Sequence, residues 1–333
     1  MKIAQSWMQA TVVATLDLSP TVRQFEIAPL QGTALSYPEG AHLQMQVMVQ
    51  GTRVQTRSYS LVGLPDPKAW RIAVKRMDDG RGGSLAMWQL AAGDRLMVSE
   101  PQNHFPLDLT APGYLVVAGG IGITPLVGMV QRLATHARST GVPLRVLYGA
   151  RTESELVFAA QLREALQGVS GDTLQLHSGS AAIDFAKEIA VLPMGAQLYT
   201  CGPVPMLEAL KRAWSKAGRP LPDLRFETFG SSGRLPTQAF RLQVPRHGID
   251  LMVPSDTTLL EALEGAGVPT ISDCRRGECG LCAMDVVSVQ GEIDHRDVFL
   301  SAHEKAACQR ICVCVSRAVG GVTLDSAWRP DVA

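Results

Sequence analysis

Cys274, Cys279 and Cys282 stand in the run Cys-Arg-Arg-Gly-Glu-Cys-Gly-Leu-Cys, and Cys308, Cys312 and Cys314 follow downstream. A C-x4-C-x2-C spacing with one remote cysteine is the signature of a plant-type [2Fe–2S] cluster. The constraint on folding is strong, because one loop must bring three thiolates together and a distant segment must deliver a fourth. Gly277 and Gly280 let the loop wrap tightly and turn amides toward the sulfurs. Arg275 and Arg276 add positive potential beside a negative cluster. Zinc sites favour paired C-x2-C spacings, which this is not; the other alternative is a set of buried free thiols. Spacing leaves the fourth ligand open among Cys308, Cys312 and Cys314, because Cys312 and Cys314 lie two apart on an expected strand and both can face the loop. Such a cluster moves single electrons and bonds no organic substrate, so the rest of the chain must hold the electron source.

The chain has 333 residues, enough for two or three domains each with its own core. Lys plus Arg balances Asp plus Glu at 31 each, which argues against a nucleic-acid or anionic-membrane partner. The cysteine count of seven is odd and four sit at cluster spacing, so a reducing cytoplasm is expected rather than a disulfide framework. The N-terminus alternates polar and apolar residues at positions 11–15 and lacks the apolar stretch of a signal peptide. The longest uncharged run, 114–130, is interrupted by four glycines and Pro125; it reads as strand, glycine turn and helix, not a membrane span.

Three segments follow from periodicity. Residues 1–108 read as an antiparallel β-barrel: His42–Val49 alternates, with Leu43, Met45, Val47 and Val49 on one face, and 71–76 and 95–99 are further short strands. Residues 109–228 alternate strands (114–118, 144–148, 174–177, 197–200) with helices (124–138, one through Leu156 and Leu162, 203–216), which predicts an α/β domain with a parallel sheet. Residues 229–239 are a linker by composition, and 240–333 form an α+β domain opening with a hairpin of 240–244 and 249–253 and a helix from Thr257.

Two segments carry cofactor chemistry. Arg57-Ser58-Tyr59-Ser60 closes a strand and Arg81-Gly82-Gly83-Ser84 follows. Arg57, Ser84 and the glycine amides can hold a flavin phosphate, while Tyr59 and Ser60 can pack on and hydrogen-bond an isoalloxazine. Val74, Lys75 and Phe229 are counted with this cofactor-binding set. By itself the tetrapeptide is also compatible with an ordinary strand bearing an exposed Arg. Gly119-Gly120-Ile121-Gly122-Ile123-Thr124-Pro125 opens a helix after a strand, where amides approach a pyrophosphate; the alternative is a tight βα turn. Cys201-Gly202-Pro203 ends a later strand, which puts Cys201 beside a nicotinamide unless it is simply a small buried residue. Arg151 can bind a ribose or phosphate, or be a solvated surface residue. No general acid or base is nominated; the hydride path is placed near Thr124 and Cys201, and His104 and His295 are expected to be turn or surface residues.

Taken together with Asp294-His295-Arg296-Asp297 and Cys314-Val315-Ser316-Arg317-Ala318, these motifs run through essentially the whole chain. The set resembles the phthalate dioxygenase reductase family, which includes the vanillate demethylase reductases. The resemblance implies an FMN domain related to ferredoxin-NADP reductase, an NAD domain and a C-terminal plant-type ferredoxin of β-grasp type. It also implies that Cys314 is the fourth iron ligand and that the flavin is FMN rather than FAD. One departure concerns the nucleotide. Many relatives carry acidic residues after the strand that here reads Leu174-Gln175-Leu176-His177-Ser178-Gly179-Ser180, and such a carboxylate would hold the ribose 2′-hydroxyl of NADH. Ser178 and Ser180 are neutral, so NADH is expected and NADPH stays open.

The function that follows is the reductase of a two-component Rieske-type aromatic oxygenase or O-demethylase, passing electrons from NADH to FMN to the cluster and on to the oxygenase. It is expected to work as a monomer. A cytochrome P450 or other soluble acceptor is the alternative partner. A cluster-based redox sensor is a third reading, disfavoured because no segment remains for an effector or nucleic-acid module.

Overall fold

Period-two alternation builds the first sheet. The computed structural model describes residues 6–49, 53–78, 80–171, 173–179, 183–229 and 233–326. Strands β1 (Trp7–Ser19), β2 (Val22–Pro29), β3 (His42–Val49), β4 (Arg53–Ser60), β5 (Trp70–Lys75) and β6 (Arg95–Ser99) form an antiparallel sheet in the order β4-β3-β6-β1-β2-β5. Leu43, Met45, Val47 and Val49 all point into its core, as their spacing predicts. The sheet curls until its ends meet: Leu61 bridges Ile72, and the Val62 amide donates to the Arg71 carbonyl at 2.8 Å. Helix α1 (Gly83–Trp88) packs on this barrel, with the Trp88 ring between the guanidinium groups of Arg23 and Arg76 at 4.5 and 5.3 Å.

Buried apolar runs build the second sheet. Strands β7 (Tyr114–Gly119), β8 (Leu144–Ala150), β9 (Leu174–Ser178), β10 (Gln197–Cys201) and β11 (Leu224–Glu227) are all parallel, in the order β11-β10-β7-β8-β9. The uncharged run resolves as β7, a 3-10 turn over Gly120–Ile123 and the start of α2 (Thr124–Thr140). Helix α3 (Ala159–Ala165) starts later than its apolar pattern suggests, so Leu156 lies outside it. The reason is local: Glu153–Glu155 forms a 3-10 turn pinned by the Tyr148 hydroxyl on the Glu155 carbonyl (3.1 Å) and by an ion pair from Lys75 to the Glu155 carboxylate. Helices α4 (Phe185–Ala190) and α5 (Val204–Lys216) complete the layer.

The barrel and the parallel sheet belong to one compact unit that ends at Glu227; a second begins at Thr228. Within the first unit α2 meets the barrel so closely that a Cβ on Gly128 would lie 2.7 Å from the Gly63 carbonyl oxygen. A polar network lies where the two sheets join. The Asp108 carboxylate accepts from the Thr110 hydroxyl (2.7 Å) and amide (2.9 Å) and from Gln197 Nε2 (2.9 Å). The Tyr199 hydroxyl donates to Gln197 Oε1 (2.8 Å) and accepts from the Asp108 amide (2.9 Å).

The second unit is a mixed sheet on a helix. Strands β12 (Phe240–Val244), β13 (Ile249–Val253), β14 (Ala283–Asp294), β15 (Arg310–Cys312) and β16 (Arg317–Asp325) lie in the order β13-β12-β16-β14-β15, with β12 parallel to β16. Helices α6 (Leu259–Gly265) and α7 (Ala302–Ala307) each start with a capping box, Thr258 with Glu261 and Ser301 with Glu304. Phe240, Leu242, Leu259, Leu263, Ile311 and Leu324 fill the core between sheet and α6, a β-grasp arrangement. The described part of 229–239 has neither helix nor strand, yet it is held: Arg234 N donates to Asp294 Oδ1 (3.0 Å), Arg296 Nη2 to Thr237 Oγ1 (3.2 Å) and Arg317 Nη2 to the Gln238 carbonyl (3.1 Å). No described helix is long and apolar enough to cross a membrane.

The hydrogen bonds from Thr110 and then Gln197, with Arg225 adding its charge, hold the Asp108 carboxyl down from the ordinary 3.8 to about 2. A depressed carboxylate stabilises the fold above its unfolded pKa, and that stabilisation is lost as pH falls through the folded value. Urea unfolding should therefore shift to lower midpoints between about pH 4 and about pH 2. Asp108→Asn should flatten that part of the pH dependence; an unchanged profile would remove this group from the acid sensitivity.

Candidate functional site

The cysteine loop is shaped by two left-handed glycines. Gly277 (φ 76°) is packed so that a Cβ would meet Val315 Cγ2 at 2.6 Å and Asp297 Cα at 2.9 Å. Gly280 (φ 73°) lies under the Phe299 ring, 2.2 Å from where a Cβ would be. Around them Cys274, Cys282 and Cys314 are buried and Cys279 is exposed. The Arg276 and Cys279 amides point at Cys274 Sγ from 3.4 and 3.5 Å. Cys282 Sγ lies 3.2 Å from Cys314 Sγ. Burial pushes the Cys274 thiol up, against the amides that favour its thiolate. Thiol donors on Cys312 and Cys314 pull Cys282 well below the ordinary thiol range, and their bond to Cys282 drives both of them up. The donor set fits an iron–sulfur cluster, which needs convergent thiolates and amide donors.

The strand expected to carry both Cys312 and Cys314 ends at Cys312; Cys314 lies in the turn that follows. Val315 and Ser316 amides fold back onto the Cys312 carbonyl at 3.3 and 3.0 Å, which breaks the alternation. Both sulfurs still reach Cys282, but their other surroundings differ. Cys314 receives the Gly277 amide, whereas Cys312 feels the Asp297 carboxylate.

In the sequence Asp297 stands out only as part of the Asp294-His295-Arg296-Asp297 motif. Its carboxylate accepts from the Leu300 amide (2.8 Å) and the Ser316 hydroxyl (3.2 Å), with Lys305 Nζ at 3.8 Å and His295 Nδ1 at 3.7 Å. The adjacent Val298 amide donates to the Gly277 carbonyl at 3.0 Å, so this segment clasps the cysteine loop. His295, expected at a turn or surface, has a side chain only 5 % exposed because it packs against this carboxylate. His104 is exposed and meets His42 edge-on at 5.3 Å.

On the barrel, Arg57, Ser58, Tyr59 and Ser60 form the last half of β4. Arg57 lies against the start of α1, where a Cβ on Gly83 would fall 2.4 Å from its Nε. Its guanidinium also donates to the Thr56 carbonyl (2.8 Å) and to Gln55 Oε1. Gly82 is left-handed (φ 79°), and Ser84 Oγ accepts from the Met77 amide at 3.0 Å. Val74 is buried in the barrel core and Trp88 Nε1 donates to its carbonyl at 3.1 Å, while Lys75 pairs with Glu155. Phe229 is exposed.

The parallel sheet brings the expected nucleotide residues to one edge. The carboxyl ends of β7 and β10 lie side by side and carry almost no side chains between them: a Cβ on Gly122 would meet the Cys201 carbonyl oxygen at 2.3 Å, and one on Gly202 would meet Gly119 Cα at 2.9 Å. Pro203 follows directly at the start of α5 and itself lines Gly119. Gly120 is left-handed with open space around it. This is a topological switch point, where ligands of open α/β sheets bind. Cys201 is buried here, and the Thr124 hydroxyl closes the turn by donating to the Ile121 carbonyl at 3.0 Å. Arg151 is exposed just beyond β8. Ser180 lies outside the described residues.

Glu227 escaped the sequence reading. It ends β11 beside Cys201, is 1 % exposed, and accepts a hydrogen bond from the Ser60 hydroxyl at 3.2 Å. A four-residue strand gives too short a pattern to announce it.

Residues 116–212 match the oxidoreductase NAD-binding domain model and residues 243–319 the 2Fe-2S iron–sulfur cluster binding domain model. The phthalate 4,5-dioxygenase oxygenase reductase subunit of Pseudomonas putida is 34 % identical, over 92 % of this chain and 93 % of that one. The chain belongs to the phthalate dioxygenase reductase family. A solved structure of phthalate dioxygenase reductase, described as modular for electron transfer from pyridine nucleotides to [2Fe–2S], aligns at 29 % identity and a TM-score of 0.75, covering 96 % and 98 % of the two chains. A heme-dependent oxidative N-demethylase beta subunit from Ectopseudomonas mendocina is 35 % identical over 95 % of this chain and 98 % of its own. As a member of this family of oxygenase reductases, the chain is an electron-transfer oxidoreductase that uses NADH, a flavin of the FMN type and a [2Fe–2S] cluster.

Because Gly277 has neither the backbone freedom nor the space to accept a side chain, Gly277→Ala should purify with markedly less iron per chain and a weaker visible cluster spectrum. Asp297→Asn should keep the loop's shape but lose a charged acceptor, lowering unfolding stability by about 2 kcal/mol. Iron assay and chemical denaturation check the two; wild-type values in both would contradict the clasp.

Proposed function

We propose that the chain is the reductase of a two-component oxygenase of Rieske type acting on an aromatic substrate, with Cys274, Cys279, Cys282 and Cys314 as iron ligands. The observation that supports the ligand set best is the contact of Cys314 Sγ with Cys282 Sγ at 3.2 Å. A bound flavin would supply the exchange between the two-electron chemistry of a pyridine nucleotide and the one-electron chemistry of an iron–sulfur cluster.

The chain's own residues position and shield. Arg57 offers a fixed cation beside the Gly82–Gly83 turn for the flavin phosphate, with Ser84 at the same turn. Tyr59 and Ser60, at the end of β4, are the contacts for the isoalloxazine. Gly120, Gly122 and Gly202 let backbone amides approach a pyrophosphate, and Cys201 lies at the nicotinamide end of the cleft. The buried Ser60–Glu227 hydrogen bond fixes a hydroxyl and a carboxylate where the barrel meets the parallel sheet, beside Cys201. A reducing cytoplasm is the location proposed, where the cysteine thiolates stay available as iron ligands.

A second reading of the partner has one observation behind it. The Ectopseudomonas mendocina relative serves a heme-dependent N-demethylase by name, so a heme-containing acceptor competes with the Rieske type. Reconstituting turnover with a Rieske oxygenase and with a heme oxygenase separates them.

Cys279→Ser should abolish NADH-driven cytochrome c reduction while leaving ferricyanide reduction largely intact; equal loss of both would contradict the electron order. Cys314→Ser should lose the cluster spectrum and Cys312→Ser keep it, and the reverse would reassign the fourth ligand. Glu227→Gln should slow reduction by NADH roughly tenfold to a hundredfold at unchanged flavin content, as loss of positioning does.

A further inference from the structure

The sheet order gives a bound nucleotide a direction, and this inference rests on the nucleotide reading above. With the nicotinamide at Cys201 on β10 and the pyrophosphate at Gly120 beyond β7, the adenosine half continues across β8 and β9. Neighbouring strands are about 4.8 Å apart, so β10 to β9 spans roughly 14 Å, the reach of an extended dinucleotide. The adenosine ribose therefore falls where the carboxyl ends of β8 and β9 meet.

That edge is built from Arg151 and Ser178. Ala150 pairs with Ser178, and the Gly179 amide donates to both the Ala150 and the Arg151 carbonyls at 3.2 Å. Gly179 is thereby fastened to the backbone that carries Arg151. Gly179 is left-handed (φ 86°) with open space around it, so no side chain of its own fills the edge. Arg151 and Ser178 are both exposed, and among the described residues no carboxylate pairs with Arg151.

A 2′-hydroxyl is held by a carboxylate acceptor; a 2′-phosphate is held by a cation with hydroxyl donors. The run from Ser178 to Ile183 contains no carboxylate. The next acid, Asp184, is committed as the cap of α4, accepting from the Lys187 amide at 3.1 Å. On the β8 side Glu155 is committed to Lys75, which leaves the exposed Glu153 as the nearest acid in the chain. We infer that this edge is a phosphomonoester subsite, and that the chain accepts NADPH as a hydride donor alongside NADH, with Arg151 as the specificity-determining residue.

The test is ferricyanide reduction by the full-length holoenzyme with each nucleotide, together with inhibition by 2′,5′-ADP and 5′-AMP. Wild type should show kcat/KM for NADPH within about tenfold of that for NADH, and 2′,5′-ADP should inhibit more tightly than 5′-AMP. In Arg151→Ala the NADPH-to-NADH ratio of kcat/KM should fall about tenfold, with Arg151→Lys recovering part of it. A wild-type ratio more than about tenfold in favour of NADH, equal inhibition by the two nucleotides, or an unchanged ratio in Arg151→Ala overturns the inference. If NADH too fails to reduce the protein, it is the reductase reading that falls.

Discussion

Gathering several sulfurs into one pocket is the constraint on which the C-terminal fold depends. Thiolates repel each other and lose hydration on burial, so the chain must return amide donors and exclude side chains in the same small space. Gly277 and Gly280 meet both demands, because only a left-handed residue without a Cβ fits beneath Val315, Asp297 and Phe299. The cost of that shape is carried by the segment 294–300. Asp294 and Arg296 hold the stretch that follows Thr228, and Asp297 and Val298 hold the loop itself. The β-grasp sheet is thus less a container for the cysteines than a frame for this clasp.

A parallel economy governs the nucleotide sheet. At the end of β7 and β10 the two backbones nearly touch, and glycines are the residues that permit it. Removing side chains there both seals the sheet and exposes amides, so the packing solution and the binding solution are the same. The neighbouring Ser60–Glu227 pair shows the same logic with polar groups: a contact that joins barrel to sheet also fixes a carboxylate beside Cys201.

What the sequence made legible was whatever carried a period or a spacing. His42–Val49 and Phe240–Val244 alternate, and both are strands at those bounds. The glycine-interrupted run 114–130 became strand, turn and helix because its length and its breaks forbade anything longer. Features set by tertiary contact were hidden. Leu156 fits a helical pattern, yet Tyr148 and Lys75 pin the turn before it. Cys312 and Cys314 looked like one strand face, but the chain folds back on the Cys312 carbonyl. The long β1, β2, β14 and β16 carry bulges or mixed burial that blur alternation. Glu227 and Asp297 are single acids in unremarkable contexts whose importance comes from partners far away in sequence.

Electrons flow in one order, pyridine nucleotide to flavin to cluster. Anaerobic rapid mixing of the oxidised holoenzyme with NADH, followed at wavelengths that separate flavin from cluster, tests that order most directly. Flavin bleaching should come first, with cluster bleaching following after a lag, and a Cys279→Ser protein should keep the first phase and lose the second. Cluster reduction without a preceding flavin phase, or cluster reduction by NADH in protein stripped of flavin, would contradict the account.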